Sequence, residues 1–556
     1  MMKSILTLLF AALIFISCSR PSPVEQAAQS ITKESLMKPI EVLSSDAFRG
    51  RATGTEGEEK TVDYLVSYLE ETCATPGMPD GGWVQQVPLI GQKTDQDATL
   101  YITRNGNRVH RFGYYDDFMA WPSNLEENVD VNSADLVYVG YGIQAPEENW
   151  DDFKGTDVKG KILVVKNNDP SSDPDLFEGD TRLYYGRYGY KYEKARELGA
   201  AGVLIIHTTP SAGYGWNVVA NSWSRESFYL RGNEAMKNSP TKFNGWLTKE
   251  ASTALFESAG MDLEEQLAAA EHRDFEPKPL GNLRLSLELQ ASYREQNGKN
   301  VLGVIEGNAQ EKKDEYLVFT AHHDHLGMTS PVKGDSINNG ALDNAAGVSA
   351  TLNLAKAYCD VQEQLDRSIL FLFVGAEEVG LLGSQYWAEH PTVHPGKVTG
   401  NINLDGMNVY GPTKDVVVIG YDRNTLSDML EENAKERDRY LKPDPHPDRG
   451  YFYRSDHFSL AKKGIPAVFP DRGTEFVGKP DGYSSLVDSL EDANYHSVSD
   501  EINQYWDITG MVRDVRLFFE TGYEVLNAPE MMKWREGDEF RAMRQKMLEA
   551  VEESEN

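Results

Sequence analysis

Basic residues are in deficit. Lys and Arg number 55 against 87 Asp and Glu, a formal net charge of −32, which repels phosphate backbones and sets nucleic acid aside as a partner. Cysteine is scarce, with three in 556 residues, so neither a cysteine metal site nor a disulfide framework can be built. Cys73 and Cys359 are read as two isolated buried thiols, with a single disulfide as the alternative. The apolar run Ile5 to Ile16 is twelve residues long, short of the roughly 20 that a membrane-spanning helix needs. GxxxxGK[ST], HExxH and GxSxG are also missing, which removes the usual signatures of nucleotide hydrolysis, a one-zinc helix protease and a serine nucleophile elbow. Gly140, Gly142 and Ala145 fit a dinucleotide-loop pattern, but Pro146 and the residues after it make a poor helix start for a pyrophosphate.

What is present supports a folded, multi-unit chain. A 40% hydrophobic share can bury a sizeable core, and 556 residues exceed one ordinary domain. Lys3 and the short apolar run read as a signal peptide, and Phe15-Ile16-Ser17-Cys18 resembles the lipobox of bacterial lipoproteins. The expectation is a signal peptide over 1–17, a lipidated Cys18 and a tether to about Ser30, which puts the protein in the cell envelope, held to a bacterial membrane by its lipid alone and facing the periplasm. Thr55 to Glu71 has apolar residues at helical spacing behind an acidic first turn. Near Asn128 the texture changes, and strand-like ADLVYVGYGI and GKILVVKNN open a separate insertion to about Gln290. From Asn300, apolar strands alternate with helical stretches, the pattern of a mainly parallel α/β sheet sandwiched by helices. A charged helical tail, 531–556, carries Phe540, Met543, Met547, Leu548 and Val551 on one stripe, read as ordinary packing.

Chemistry concentrates where these strands stop. Three of the 11 histidines fall in TAHHDHLG, as His322, His323 and His325, with Asp324 among them, directly after the apolar strand YLVFT. In an extended segment His322 and Asp324 share a side, so the carboxylate can orient the imidazole for a metal. Asp343 sits in a glycine-flanked turn before a helix, where taken alone it reads as an N-cap. Glu377 and Glu378 follow the apolar run Ile369 to Val374, and adjacent carboxylates at a buried strand end call for a cation. Asp405 in NINLDGMN repeats the strand-end placement, and His496 lies in NYHSVSD. Together these residues offer nitrogen and oxygen donors in the proportions suited to two zinc ions sharing a carboxylate.

The ordered set, with LSSDAFRGRATGTEGEEK near the N-terminus, resembles the co-catalytic di-zinc aminopeptidases, a family that includes bacterial leucyl aminopeptidase, aminopeptidase Y and glutamate carboxypeptidase. The insertion resembles that family's β-rich protease-associated domain. The resemblance implies two Zn2+ per chain: His322 and Asp405 on one ion, Glu378 and His496 on the other, Asp343 bridging. It implies Glu377 as general base, Asp324 as the residue orienting His322, and Tyr495 as a hydroxyl for the developing oxyanion. Ser455, Asp456 and His457 would support the site, and the bond after Asp343 would be cis, with Gly340 and Gly347 leaving room for the backbone. The implied reaction is hydrolysis at the N-terminus of peptides. The rivals are a carboxypeptidase releasing acidic C-terminal residues, for which Arg454 or Arg472 could hold carboxylates, a glutaminyl cyclase, and a binding module without catalysis.

Overall fold

The computed structural model describes residues 21–174 and 176–555. The segment 1–17, expected to be a signal peptide, and Cys18 lie outside the described residues, and no described helix is long and apolar enough to cross a membrane.

The central sheet is mixed. Strands Tyr316–His322, Ser368–Val374, Val398–Asn403 and Ala467–Asp471 run parallel at its centre. Lys278–Ile305 and then Val84–Thr94 extend one side antiparallel, and Asp415–Ile419 extends the other. The central strands are buried on both faces, so Tyr316–His322 and Ser368–Val374 read as near-continuous apolar runs rather than as alternation, whereas Val398–Asn403 buries Asn401 and Asn403, each hydrogen-bonded to Thr320. Ile369, Phe371 and Phe373 pack with helices Gly347–Cys359 and Thr509–Asn527, while Leu370, Leu372 and Val374 pack on the opposite face with Trp387 and Leu460. Each such side chain contributes roughly 1.5–3 kcal/mol by burial.

A second core lies in the insertion, where Asn128–Tyr138, Ile162–Lys166, Gly202–Ile206 and Phe243–Leu247 pair in parallel. It begins earlier than the texture change at Asn128: strands Thr99–Arg104, Asn107–Gly113 and Phe118–Pro122 contribute Leu100, Ile102, Phe112 and Phe118 to this core. Strand Lys278–Ile305, 28 residues long, pairs in both sheets and ties the two cores together. The insertion leans on the segment 447–462. The Arg182 N–H donates to Pro447 O at 3.0 Å, and the ring of Tyr184 lies 5.1 Å from that of Phe458. A cavity of about 630 Å³ sits within the insertion, lined by Lys166, His207, Trp216 and Thr248 at the carboxyl ends of its parallel strands, apart from the candidate site.

Two further expectations are corrected. The proposed tether contains a helix, Pro23–Ser30, started by a Ser22–Glu25 capping box and buried at Ala27 and Ala28. Cys73 and Cys359 are joined in a disulfide rather than lying apart, which links the turn after helix Glu56–Glu70 to the end of helix Gly347–Cys359. The tail holds a helix, Arg541–Glu555, which approaches Gly396 with the Met547 backbone and the Val551 side chain.

Candidate active site

Three parallel strands end side by side. His322 is the last residue of its strand and registers with Val374, while Thr320 registers with Asn403. The chain leaving Val374 supplies Glu377 and Glu378, and the chain leaving Asn403 supplies Asp405. Open α/β sheets place their chemistry at this carboxyl edge.

Asp343 stands between the two groups of donors. Its Oδ1 is 3.2 Å from His322 Nε2, which is 3.0 Å from Asp405 Oδ1. Its Oδ2 is 3.4 Å from His496 Nε2, which is 3.1 Å from Glu378 Oε2. Each oxygen of one carboxylate thus faces a different histidine–carboxylate pair. Asp343 does not cap the following helix. The turn is held from below instead, because buried Asp500 accepts from the N–H groups of Leu342 and Asp343 at 2.9 and 3.0 Å. The Asp343–Asn344 bond is cis. Asn344 fastens this turn to its neighbours, donating to Leu404 O and accepting from the Gly347 and Gly406 N–H groups. A Cβ on Gly347 would collide with both Asn344 and Leu404, so the backbone passes only as glycine.

The charges of the cluster act strongly on one another. Burial opposes an imidazolium at His322, but Asp405, Glu377 and Asp343 outweigh it and raise its pKa well above the ordinary value. His496 is likewise raised to about 10, against burial, by Asp343 and Glu378. Burial pushes Asp343 and Glu378 upward, yet the facing histidines hold both carboxyls low. The carboxylates draw positive charge onto the histidines; a divalent cation placed between the same donors would displace those protons. The triads His322/Asp343/Asp405 and His325/Asp343/Glu378 each bring their donor atoms within 4.8 Å of one another. Nitrogen and oxygen donors of this kind are those that zinc takes, so the residues present fit zinc.

Asp324 is placed differently from the expectation. Its Oδ1 lies 3.9 Å from His322 Nδ1, beyond a hydrogen bond, and that nitrogen instead faces the Asp324 backbone carbonyl at 3.2 Å. The carboxylate accepts from Glu377 N–H at 3.1 Å, Glu378 N–H at 3.4 Å and Thr53 Oγ1 at 3.1 Å. It therefore orients the paired glutamates, while the backbone orients His322. Burial raises Glu377 well above an ordinary carboxyl, with Glu378 and Asp405 adding to the rise. Tyr495 is 65% exposed at the mouth, its ring stacked 3.8 Å from that of His496. Ser455 accepts from Asn403 at 2.7 Å and donates to Asp405 Oδ2 at 2.6 Å. His457 is fully buried against Phe452 and is not among the donors.

Sequence reasoning missed Arg51, Glu58, Asn344 and Asp500. Arg51, 1% exposed, donates to the carbonyls of Leu43, His323, Asn339 and Gly340, stitching the N-terminal segment to both histidine and aspartate loops. Burial lowers its pKa to about 10. A signal existed for Asp500, a carboxylate four residues after His496 in the same loop. None existed for Arg51, whose partners are backbone carbonyls far along the chain.

The model of peptidase family M28 matches residues 300–518. The match covers the second half of the central sheet and all the candidate site residues from His322 to His496. It is 34% identical to aminopeptidase YwaD of Bacillus subtilis over 121 residues, 22% of this chain and 24% of YwaD's own length. It is 21% identical to the probable leucine aminopeptidase 2 of Trichophyton verrucosum over 432 residues, 74% of this chain and 75% of that protein. The aminopeptidase from Aneurinibacillus sp. strain AM-1 shares the fold with a TM-score of 0.50 at 20% identity, over 90% of this chain and 95% of that one.

Proposed function

We propose that this protein, matched over residues 300–518 by the model of peptidase family M28, is a two-zinc aminopeptidase that removes N-terminal residues from peptides. The observation that carries the reading is the division of Asp343 between two histidine–carboxylate pairs. His322 and Asp405 would hold one ion, His496 and Glu378 the other, and Asp343 both. Bound zinc supplies Lewis acidity to a water and to the scissile carbonyl. Glu377 takes the proton of that water and returns it to the leaving amine, a role suited to a buried carboxyl whose proton affinity is raised. Tyr495 places a hydroxyl at the mouth, where it can donate to the developing oxyanion. The insertion, read as a protease-associated domain, rests against segment 447–462 beside Ser455 and narrows the approach to free chain ends. Aminopeptidase names among the relatives support the same substrate class.

One observation favours a second reading, release of acidic C-terminal residues. Arg472 is engaged by Asp488 and Glu491, whereas Arg454 makes no ion pair among the described residues and stacks over Tyr451 at 5.6 Å. It is free to meet a substrate carboxylate. Hydrolysis of aminoacyl-nitroanilides, abolished by a chelator and restored by zinc, supports the first reading; exclusive cleavage of N-blocked acidic dipeptides supports the second.

A further inference from the structure

His325 belongs to the same histidine-rich turn, and its donor nitrogen lies within 4.8 Å of donor oxygens of Asp343 and Glu378, yet the ligand set proposed above does not include it. Its side chain is fully buried, and its Nδ1 lies 2.6 Å from Glu378 Oε1 and 3.9 Å from Asp343 Oδ2. These distances separate a ligand from a support. Donors around a tetrahedral zinc, at bond lengths of about 2.0–2.1 Å, stand roughly 3.3 Å apart. The four ligand–ligand contacts made by His322 and His496 run from 3.0 to 3.4 Å, which matches such edges. The His325–Glu378 separation is instead that of a hydrogen bond to a carboxylate.

The two oxygens of Glu378 also have different neighbours. Oε2 faces His496, the side on which an ion would lie, and Oε1 faces His325. The imidazole cannot turn away easily. The His325 backbone N–H donates to Arg51 O at 3.4 Å, and a Cβ on Gly340 would stand 2.6 Å from His325 Cδ2, so the ring fills the space that this glycine leaves. Nε2 is buried with no hydrogen-bond partner, so Nδ1 makes the ring's single polar contact.

We infer that His325 is a positioning residue for the second metal half-site: its Nδ1–H donates to Glu378 Oε1 and turns Oε2 toward the ion. The inference rests on the two-ion reading and adds an asymmetry to it. Asp405, on the other half-site, receives its support from the Ser455 hydroxyl. Loss of His325 therefore weakens one site and spares the other, and loss of such a support typically lowers metal affinity by about 10–100-fold.

The test is zinc titration of metal-stripped full-length protein against a chromophoric chelator, for the wild type, His325→Ala, His325→Asn and His325→Leu. Asparagine carries an N–H donor close to where Nδ1 stands, whereas leucine fills space without one. The expected result is two tight equivalents in the wild type, one site weakened about 10–100-fold in the Ala and Leu variants with the other within about 2-fold, and substantial recovery in Asn. Two wild-type equivalents with unchanged affinities in Ala would overturn the proposal alone. Loss of one equivalent in Ala, Leu and Asn alike would make His325 a ligand and also overturn it. Equal weakening of both sites would reduce it to general packing. Fewer than two equivalents in the wild type would overturn the two-ion reading together with this proposal.

Discussion

Burial pushes Glu377 and Glu378 toward the protonated form, but only Glu378 has histidine nitrogens within hydrogen-bond distance to reverse the shift. Neighbouring carboxyls with proton affinities driven apart divide the work between proton carrier and metal holder. Replacing Glu377 by Gln keeps the shape and removes the carrier, so turnover should fall by about 10²-fold or more while the bound metal content stays unchanged. Undiminished turnover would remove Glu377 from the mechanism. Glu58 gives a second test at this scale. It accepts from Gly54 N–H at 2.6 Å and Lys299 N–H at 3.0 Å, and burial raises its pKa from 4.5 to about 8. A group raised on folding stabilises fully below its unfolded value and loses that contribution as the pH climbs through the folded one. The thermal stability of the wild type relative to Glu58→Gln should therefore decline between about pH 5 and pH 8.5; a constant difference would contradict it.

Among the elements, the Asp343 turn matters most, because its two carboxylate oxygens face different histidines, His322 and His496, and the proposed function has it hold both ions. Asp343→Ala should release metal from both half-sites, measured by metal analysis after dialysis, whereas loss from one alone would mean that the aspartate does not bridge. The strand ends around this turn were legible in the sequence. Two of these strands read as apolar runs, and His322 at the end of one and Glu377 beyond the other mark where they leave the core; Val398–Asn403 holds buried Thr399, Asn401 and Asn403, so Asp405 is not set off in the same way. The start of the insertion was also written there but went unread: Asn105 and Gly106, both with positive φ, form a tight turn between Thr99–Arg104 and Asn107–Gly113. The partners of Asp324 were not legible. Alternation placed its carboxylate beside His322, but three donors from other segments hold it, and such long-range contacts leave no local pattern. The Cys73–Cys359 link spans a separation of 286 residues and was hidden for the same reason.

For the whole molecule, we propose that Cys18 carries the lipid anchor, so Cys18→Ser should move the protein from the detergent-extracted membrane fraction to the soluble one. Unchanged partitioning would place the anchor elsewhere. The central claim is that two ions held about Asp343 serve peptide-bond hydrolysis at a free N-terminus. Its most direct test is to strip the metal, return zinc stepwise, and follow bound zinc and aminoacyl-nitroanilide hydrolysis in the same samples. The account predicts that activity reaches its plateau at two equivalents per chain. A plateau at one equivalent, or two bound equivalents with no release from any substrate bearing a free N-terminus, would contradict it.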